Sequence, residues 1–313
     1  MSATVVSSPG KVLLAGGYLV LDPAYSGVVV STSSRFYTVV RTGTSNEIHV
    51  RSPQFVEGSW SYTVKLAETS VQVEPSPSIP GKNKFVHFAL QNALTLALEV
   101  NGAAQFSQSF GTGLDITIAG DNDFYSQEDQ LKKLNLPSNI ESLSKIPPFS
   151  HTGVTLADVA KTGLGSSAAL ITSLVTALLV HFAVLPRALD APARLLAHNV
   201  AQFVHCLAQG KVGSGFDVSA AAFGSQLYTR FSPEVIKPLM DGTAGTQPLF
   251  PTLSPQNPAW DYRVEPFQLP PFTRLLLADI HAGSNTPSLV GKVLKWREQD
   301  STTGARSALA LEG

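Results

Sequence analysis

The feature that most constrains the fold of this chain is a glycine- and serine-rich turn, residues 161–169, that runs directly into a long apolar segment. Gly163 and Gly165 allow positive φ and let a ligand approach the backbone closely. The two serines that follow suit a helix N-cap, and the spacing predicts a helix over residues 168–185. Such a turn directs several N–H groups and the positive end of a helix dipole at one point, which favours phosphate binding.

The polar side chains of the turn fit the same interpretation. Lys161 adds a mobile positive charge just outside the turn, and the hydroxyls of Ser166 and Ser167 can reach a phosphate or a bound Mg²⁺. The alternative is a loop that only caps a buried helix. Because short glycine motifs also match by chance, the composition of the loop leaves both interpretations open.

Three other interpretations of this segment are excluded by the order of its residues. A Walker A loop places its lysine after the second glycine, whereas Lys161 precedes both glycines. The dinucleotide fingerprint needs three glycines in a G-x-G-x-x-G frame, which is absent here. Residues 168–185 have about the minimum length of a membrane span, but polar residues interrupt them and Pro186 follows, so we expect a buried core helix.

Composition limits the function classes. With 313 residues the chain can bury a full core and is long enough for roughly two domains. Only 14% of residues are charged and the net charge is −1, so we expect a small-molecule substrate and neither nucleic acid nor a membrane surface as partner. The single cysteine, Cys206, fits a reducing compartment. We expect a cytoplasmic protein, because no signal peptide is evident and residues 311–313 are not a peroxisomal address. A monomer and a dimer both remain open.

The first half of the chain predicts a β-rich unit. A turn at Pro9 and Gly10 leads into a buried strand over residues 12–14, which places Lys11 at the mouth of a strand, where a lysine is either functional or merely solvated. An antiparallel meander is predicted from four strand-like segments at residues 27–31, 36–42, 47–52 and 60–65. The predicted elements that follow are a loop over 72–82, an amphipathic helix over 85–100, a strand over 114–118 and a polar surface excursion over 121–150.

The second half contains another glycine segment, residues 210–219, after a predicted helix over residues 194–209. Its glycines hold Asp217 on a tight turn before a helix start rich in small residues. This carboxylate is either an orienter or proton acceptor for a substrate, or an N-cap. The later predicted elements are a strand over 223–231, a linker or insertion over 241–259, an apolar strand over 273–280, a polar loop over 281–288 and a helix over 289–296.

Three glycine-bearing segments, in this order, resemble those of the GHMP kinase superfamily, which includes galactokinase, homoserine kinase, mevalonate kinase and phosphomevalonate kinase. They are Pro-Gly-Lys-Val-Leu-Leu-Ala-Gly-Gly-Tyr at 9–18, Gly-Leu-Gly-Ser-Ser-Ala-Ala at 163–169 and Gly-Ser-Gly-Phe-Asp at 213–217. Within the superfamily, longer strings at 161–170, 205–218 and 290–297 are most similar to the fungal-type phosphomevalonate kinases.

The resemblance implies an α+β GHMP kinase fold. Residues 1–235 would form an ATP-binding N-terminal domain of the ribosomal protein S5 domain 2 type, with a left-handed βαβ unit. Residues 236–313 would be a linker or insertion and the start of an incomplete, ferredoxin-like α/β C-terminal domain. The implied activity is transfer of the γ-phosphoryl group of ATP to (R)-5-phosphomevalonate, with Mg²⁺, to give (R)-5-diphosphomevalonate in the mevalonate pathway to isopentenyl diphosphate and sterols.

The resemblance also implies the site. The residues implied to bind ATP phosphates are Lys161, Thr162, Gly163, Leu164, Gly165, Ser166, Ser167 and Ala168. Ser166 or Ser167 would assist Mg²⁺, and the catalytic residues would be Lys11, Lys161 and Asp217. The residues implied to bind the acceptor are Lys11, Tyr18, Lys211, Ser214, Gly215, Asp217 and Ser284. Two phosphates meeting in one site repel each other, so an excess of lysines there is physically reasonable.

Two departures from the superfamily pattern limit these implications. The third superfamily motif, a glycine-rich loop in the C-terminal domain, is not found, so we expect a chain that ends within its second domain and is weakly active or inactive. Mevalonate kinases have a metal-binding glutamate eleven residues before the loop aspartate, where this chain has Cys206. The alternatives are another small-molecule kinase of the superfamily, such as a mevalonate or homoserine kinase, or a catalytically inactive protein that keeps the fold and binds a ligand or a partner.

Overall fold

The structure is a computed structural model of the chain, and it describes residues 3–66, 70–77, 79, 81–243, 247–278, 291–293, 295–296 and 299. The predicted polar loop over 281–288, with Ser284, lies outside the described residues. So does part of the predicted helix over 289–296, of which residues 291–293 and 295–296 are helical.

The described strands form one mixed sheet. They are β1 (Thr4–Ala15), β2 (Ser26–Thr42), β3 (Ile48–Arg51), β4 (Ser59–Leu66), β5 (Val71–Pro75), β6 (Leu114–Gly120), β7 (Gln226–Thr229) and β8 (Arg263–Pro266). The order across the sheet is β5-β4-β3-β6-β2-β7-β8, and β1 pairs with β2. The pairing of β3 with β6 is parallel, and the other strand pairs are antiparallel. Together with the helices below, this confirms a mixed α and β architecture.

The predicted meander is wrong in two respects. The segments predicted as separate strands over 27–31 and 36–42 are one 17-residue strand, β2, because the serines between them keep an extended backbone. Strands β2 and β3, which a meander would place side by side, are not neighbours either. Strand β6 lies between them, antiparallel to β2 and parallel to β3, and the chain reaches it through a long helix after β5 at the edge.

Two local predictions near these strands are also wrong. Pro9 and Gly10 do not turn the chain, since β1 continues through them with a register shift between Pro9 and Lys11. A bulge of this kind lets proline stay within a strand. The predicted buried strand over 12–14 is only half buried, and Leu14 is exposed. The predicted loop over 72–82 begins as a strand, because the alternating Val71 and Val73 are buried under the helix that follows.

The described helices are α1 (Lys84–Phe110), α2 (Glu128–Lys133), α3 (Ile140–Leu143), α4 (Ser166–His181), α5 (Ala191–Gln209), α6 (Phe216–Phe223), α7 (Lys237–Met240) and α8 (Leu249–Leu253). Of these, α1 contains one non-helical residue, Gly102. The prediction of helices over residues 85–100 and 194–209 is therefore confirmed in position. The polar excursion over residues 121–150 carries only the short helices α2 and α3 and a 3₁₀ turn, Asn122–Phe124.

Helix α4 is the centre of the core. It packs against β1, β2, α1 and α5, and most of its side chains from Ala168 to Leu179 are buried. A helix enclosed on several sides needs no polar face, which explains its continuous apolar sequence. It begins two residues earlier than predicted and ends at His181 rather than at 185. Its N-cap position is Gly165, so the two serines form its first turn and do not cap it.

The C-terminal part of the described chain packs on the same body. The carboxylate of Glu99 in α1 accepts the backbone N–H groups of Leu249 (2.9 Å) and Phe250 (3.0 Å) at the start of α8. Strand β8 extends the sheet next to β7. The apolar strand predicted over residues 273–280 is not formed in its described part, 273–278, where Leu276 is 75% exposed, because no described strand pairs with it. The domain boundary at residue 235 stays a prediction.

None of the described helices combines the length and the apolar character required to span a membrane.

Candidate active site

One cleft of about 690 Å³ brings together most of the residues that the sequence singled out. Its lining includes Lys11, Tyr18, Lys161, Gly163, Gly165, Ser166, Ser167, Lys211, Ser214, Gly215 and Asp217. Of the residues implied to bind ATP phosphates, the three others, Thr162, Leu164 and Ala168, are adjacent in sequence but are not part of the lining, and Ala168 is fully buried in α4. The first, second and third glycine segments thus meet around one space.

The glycine turn depends on backbone conformations that only glycine adopts without strain. Gly163 has φ +81°, and a Cβ built there would meet nothing within 4 Å, so this residue is open to the cleft. Gly165 has φ +75°, and a Cβ there would lie 2.8 Å from Cε of Lys11. Gly165 therefore has two requirements, a left-handed backbone and space for the lysine.

Lys11 lies across the glycine turn and joins it to β1. Its backbone N–H donates to the carbonyl of Leu164 (2.9 Å), and its Nζ donates to the carbonyl of Gly163 (3.0 Å). The approach of the two segments requires Gly10, whose added Cβ would lie 2.9 Å from the Leu164 carbonyl oxygen. Burial lowers the pKa of Lys11 below its ordinary value, and the charge of Asp217 partly opposes this. Lys11 is thus held against the turn, unlike a free surface lysine.

The first residues of the glycine turn are bonded to the polar surface segment, residues 121–150. The Thr162 hydroxyl donates to the carbonyl of Asp123, and the Thr162 backbone N–H donates to the carbonyl of Phe124 (3.2 Å). Lys161 itself is exposed at the edge of the cleft. Thr162 therefore fixes the backbone beside a lysine whose side chain is free to follow a ligand.

Asp217 is not the N-cap of the helix that contains it. The cap position of α6 is Gly215, with φ +84°, and Asp217 is the second residue of the helix. One carboxylate oxygen accepts the backbone N–H of Val218 (3.0 Å), and the other lies 3.8 Å from Nε2 of His205. The N-cap alternative is therefore wrong, and the carboxylate, 21% exposed, faces the cleft with one oxygen held by the helix.

His205 is a cleft residue that the sequence reasoning missed. Its Nε2 lies 3.1 Å from the hydroxyl oxygen of Ser167 and 3.2 Å from the amide nitrogen of Gln209. Burial lowers the pKa of His205, and the nearby Asp217 carboxylate partly opposes this. His205 therefore links the first turn of α4 to Asp217 through α5.

A sequence signal for this residue did exist. Gln202, His205 and Gln209 are polar residues at spacings of three and four in an otherwise apolar part of α5, so they share one helix face, and all three line the cleft. Cys206 is buried and does not line the cleft; its sulfur accepts the side-chain N–H of Gln202 (3.4 Å). Burial raises the pKa of its thiol. The position that holds the glutamate in mevalonate kinases is thus occupied here by a buried thiol that does not line the cleft.

The donor atoms of the cleft fit Mg²⁺ bound together with a nucleotide. Within the described residues, no group of three or more His, Cys, Asp or Glu side chains is placed to hold a metal ion alone. The hydroxyls of Ser166 and Ser167 and the carboxylate of Asp217 are hard oxygen donors in one cleft. Mg²⁺ typically takes one or two carboxylates and completes its shell with substrate phosphates and water.

Comparison with known proteins places the chain in the family that its glycine segments resemble. The family model of the GHMP kinases N terminal domain matches residues 127–225. The chain is 39% identical to a phosphomevalonate kinase of Aspergillus fumigatus, with 96% of this chain and 67% of the relative covered. It is also 39% identical to a peroxisomal phosphomevalonate kinase of Arabidopsis thaliana, with coverage of 95% and 64%. The chain thus spans about two thirds of the length of these curated relatives.

A solved structure supports the fold. The phosphomevalonate kinase of Streptococcus pneumoniae, in complex with phosphomevalonate and AMPPNP, superposes with a TM-score of 0.52 at 18% identity. The match covers 85% of this chain and 58% of that one. This likeness, with the family match, confirms the predicted GHMP kinase fold.

Proposed function

Because the chain belongs to the phosphomevalonate kinase family of GHMP kinases, we propose that it carries the nucleotide and acceptor sites of a phosphomevalonate kinase. The reaction transfers the γ-phosphoryl group of ATP to the phosphate of (R)-5-phosphomevalonate and gives ADP and (R)-5-diphosphomevalonate. The observation that carries the proposal is the single cleft in which the glycine turn before α4 faces Lys11 and Asp217. This supports two phosphate groups meeting at one place.

In the proposed site, the nucleotide phosphates lie on the backbone of the glycine turn. The residues that bind them are Lys161, Thr162, Gly163, Leu164, Gly165, Ser166, Ser167 and Ala168. The N–H groups of the first turn of α4 have no partner within the helix, so they and the helix dipole favour an anion. Lys161, exposed at the edge of the cleft, supplies further positive charge.

The acceptor phosphate lies opposite, next to Lys11, Tyr18, Lys211, Ser214, Gly215 and Asp217. Lys11 connects the two halves, because its ammonium group touches the glycine turn and faces Asp217. An ammonium between two phosphates offsets their repulsion as the oxygens approach in line. An acceptor phosphate already carries negative charge at neutral pH and needs no strong base. The role of Asp217 is therefore to orient the reacting groups and a bound cation.

The residues proposed to hold Mg²⁺ are Ser166, Ser167 and Asp217. When bound, the ion would neutralise charge on the transferred phosphoryl group. His205 orients one of these three residues, because its Nε2 is within hydrogen-bonding distance of the Ser167 hydroxyl. With His205 neutral, as burial favours, its Nε2 accepts from Ser167, and the oxygen lone pairs of the serine are left for the ligand.

The proposal also covers the binding partners of the protein and its location in the cell. The net charge of −1 and the low charge content support a small-molecule partner without nucleic acid or a membrane. The one cysteine is free and buried, which is compatible with the cytoplasm.

A coupled assay of ADP release tests the acceptor. We expect release with (R)-5-phosphomevalonate to exceed release with mevalonate or homoserine, because the lysines of the cleft match a dianionic acceptor. Calorimetric titration with AMPPNP checks the nucleotide site independently. Equal or faster turnover of mevalonate would overturn the choice of substrate. AMPPNP binding without turnover of any acceptor would favour an inactive, ligand-binding protein.

A further inference from the structure

Arg230, the residue after β7, makes three hydrogen bonds to backbone carbonyls in two separate segments. Its Nε donates to Gly213 (3.1 Å) and one terminal nitrogen donates to Val212 (3.2 Å). The other terminal nitrogen donates to Leu21 (2.8 Å), at the end of the 3₁₀ turn that follows Tyr18. One guanidinium group therefore joins the glycine loop before Asp217 to the segment that carries Tyr18. Arg230 itself does not line the cleft.

Tyr228 in β7 bonds to the next carbonyl of the same loop. Its hydroxyl donates to the carbonyl of Ser214 (2.9 Å). Gly215, the next residue, has φ +84°, and an added Cβ would lie 2.8 Å from the same hydroxyl. The loop is thus packed directly onto β7, with three successive carbonyls, those of Val212, Gly213 and Ser214, bonded to two side chains outside the cleft.

The direction of these carbonyls matters for a phosphate site. A carbonyl oxygen carries partial negative charge and repels a phosphate. Bonding to Arg230 and Tyr228, neither of which lines the cleft, keeps these oxygens turned toward β7 and away from the cleft that Lys211, Gly213 and Ser214 line. Because a guanidinium is a rigid fork with five donors, a lysine cannot replace all three of its bonds.

We propose that Arg230 is a positioning residue for the acceptor: it holds the loop from Val212 to Asp217 against the segment Tyr18 to Leu21, with its carbonyls turned out of the cleft. The proposal rests on the proposed function, since it assigns the acceptor to this loop. Arg230 acts on the acceptor only through the backbone. The nucleotide turn before α4 makes none of these contacts and should be unaffected.

The test compares Arg230→Met and Arg230→Lys with a matched control. Arg35→Met is suitable, because Arg35 is also a half-buried arginine that donates to a backbone carbonyl, that of Ser7, and Arg35 does not line the cleft. Calorimetry gives the Kd of phosphomevalonate and of AMPPNP for each variant of the full 313-residue chain. Hydrogen–deuterium exchange of peptides covering residues 212–217 reports the loop without any ligand.

We expect Arg230→Met to raise the Kd of phosphomevalonate about 10-fold or more and that of AMPPNP less than about 3-fold, as the loss of charge-assisted bonds predicts. Arg230→Lys should fall between wild type and Arg230→Met. Loop exchange should accelerate in both variants, and Arg35→Met should change neither affinity nor loop exchange. If Arg230→Met fails to fold, Tyr228→Phe removes a single hydroxyl and should shift both readouts in the same direction by less.

Equal weakening of both ligands, or unchanged loop exchange in the Arg230 variants, would overturn the proposal. Failure of the wild-type chain to bind phosphomevalonate would overturn the proposed function instead. In that case the exchange measurement still decides whether Arg230 holds the loop.

Discussion

At the scale of single residues, the site depends on how closely Lys11 lies against the glycine turn. Two hydrogen bonds join Lys11 to Leu164 and Gly163, and Gly165 leaves just enough space for its side chain. The sequence motif predicted Lys11 and the turn, but it could not predict this contact. The contact forms because β1 passes through Pro9 and Gly10 without turning.

Gly165→Ala tests this packing. A methyl group at Gly165 would lie within 2.8 Å of Lys11 Cε and would also strain a backbone at φ +75°. We expect the Kd of AMPPNP to rise about 10-fold, and unfolding to need about 1–2 kcal/mol less free energy. Gly102→Ala is the matched control, because its φ is also +75°, its added Cβ would meet nothing within 4 Å and it does not line the cleft. Equal AMPPNP affinities in the two variants would contradict the role of the Lys11 contact.

Asp217→Asn separates a chemical from a structural role. Asparagine keeps the side-chain oxygen that accepts the Val218 N–H, so the helix start should be preserved. The negative charge that faces Lys11 and the proposed cation is lost. We expect an unchanged unfolding free energy and a kcat lowered by at least about 100-fold. A variant with wild-type kcat would show that the carboxylate is only part of the helix.

His205 and Arg230 show where residue-level prediction stopped. Both act through neighbours: His205 through Ser167, and Arg230 through backbone carbonyls. A sequence motif contains the residues that touch a ligand. A residue that only supports those residues can lie at any distance from the motif along the chain. For His205 the helical spacing of polar residues in α5 was a usable signal, but nothing in the sequence relates Arg230 to Leu21.

At the scale of elements, periodicity predicted long helices better than strands. The sequence predicts α1, α4 and α5 because each is long enough to show either an apolar face at helical spacing or a continuous apolar run. Strands are less well predicted: the sequence pattern divides the 17-residue β2 at its serines, and it assigns most of β5 to a loop because of the proline-rich residues that follow. In each case a tertiary contact, pairing with β1 or β4, decided the outcome.

Helix α5 also carries a buried histidine that makes stability depend on pH. His198 is fully buried against the rings of Phe223 and Tyr262, and its Nε2 has no described hydrogen-bond partner. Burial lowers its pKa to about 4. Between that value and the unfolded value near 6.5, the unfolded state binds more protons. Stability is therefore present above the unfolded pKa and is lost as pH falls toward the folded pKa.

We expect the unfolding free energy of the wild type to fall by up to about 1.4 kcal/mol for each pH unit between about pH 6.5 and pH 4 from this residue. Phenylalanine keeps the ring packing but cannot take up a proton. In His198→Phe, denaturant unfolding at several pH values should therefore show a smaller loss over the same range. Parallel pH profiles of the two proteins would refute the assignment to His198.

At the scale of the whole molecule, one body brings the three glycine segments together. β1 carries Lys11, the turn before α4 carries the proposed nucleotide site, and the first turn of α6 carries Asp217. The three are adjacent because α4 packs against β1 and α6. The order of the motifs therefore predicted the family and the fold, which the comparisons confirm. The exposed segment over residues 273–278 was not predictable in the same way, since a strand needs a partner as well as an apolar sequence.

Phosphorus NMR of a reaction with ATP, Mg²⁺ and (R)-5-phosphomevalonate tests the central claim most directly, because it identifies the product rather than ADP alone. We predict that the phosphomonoester resonance of the acceptor falls, even if slowly, while a second coupled pair, distinct from that of ADP, grows, with one ADP formed for each diphosphomevalonate. Formation of ADP and inorganic phosphate without this second coupled pair, or conversion of mevalonate while phosphomevalonate is unchanged, would contradict the assignment of this cleft.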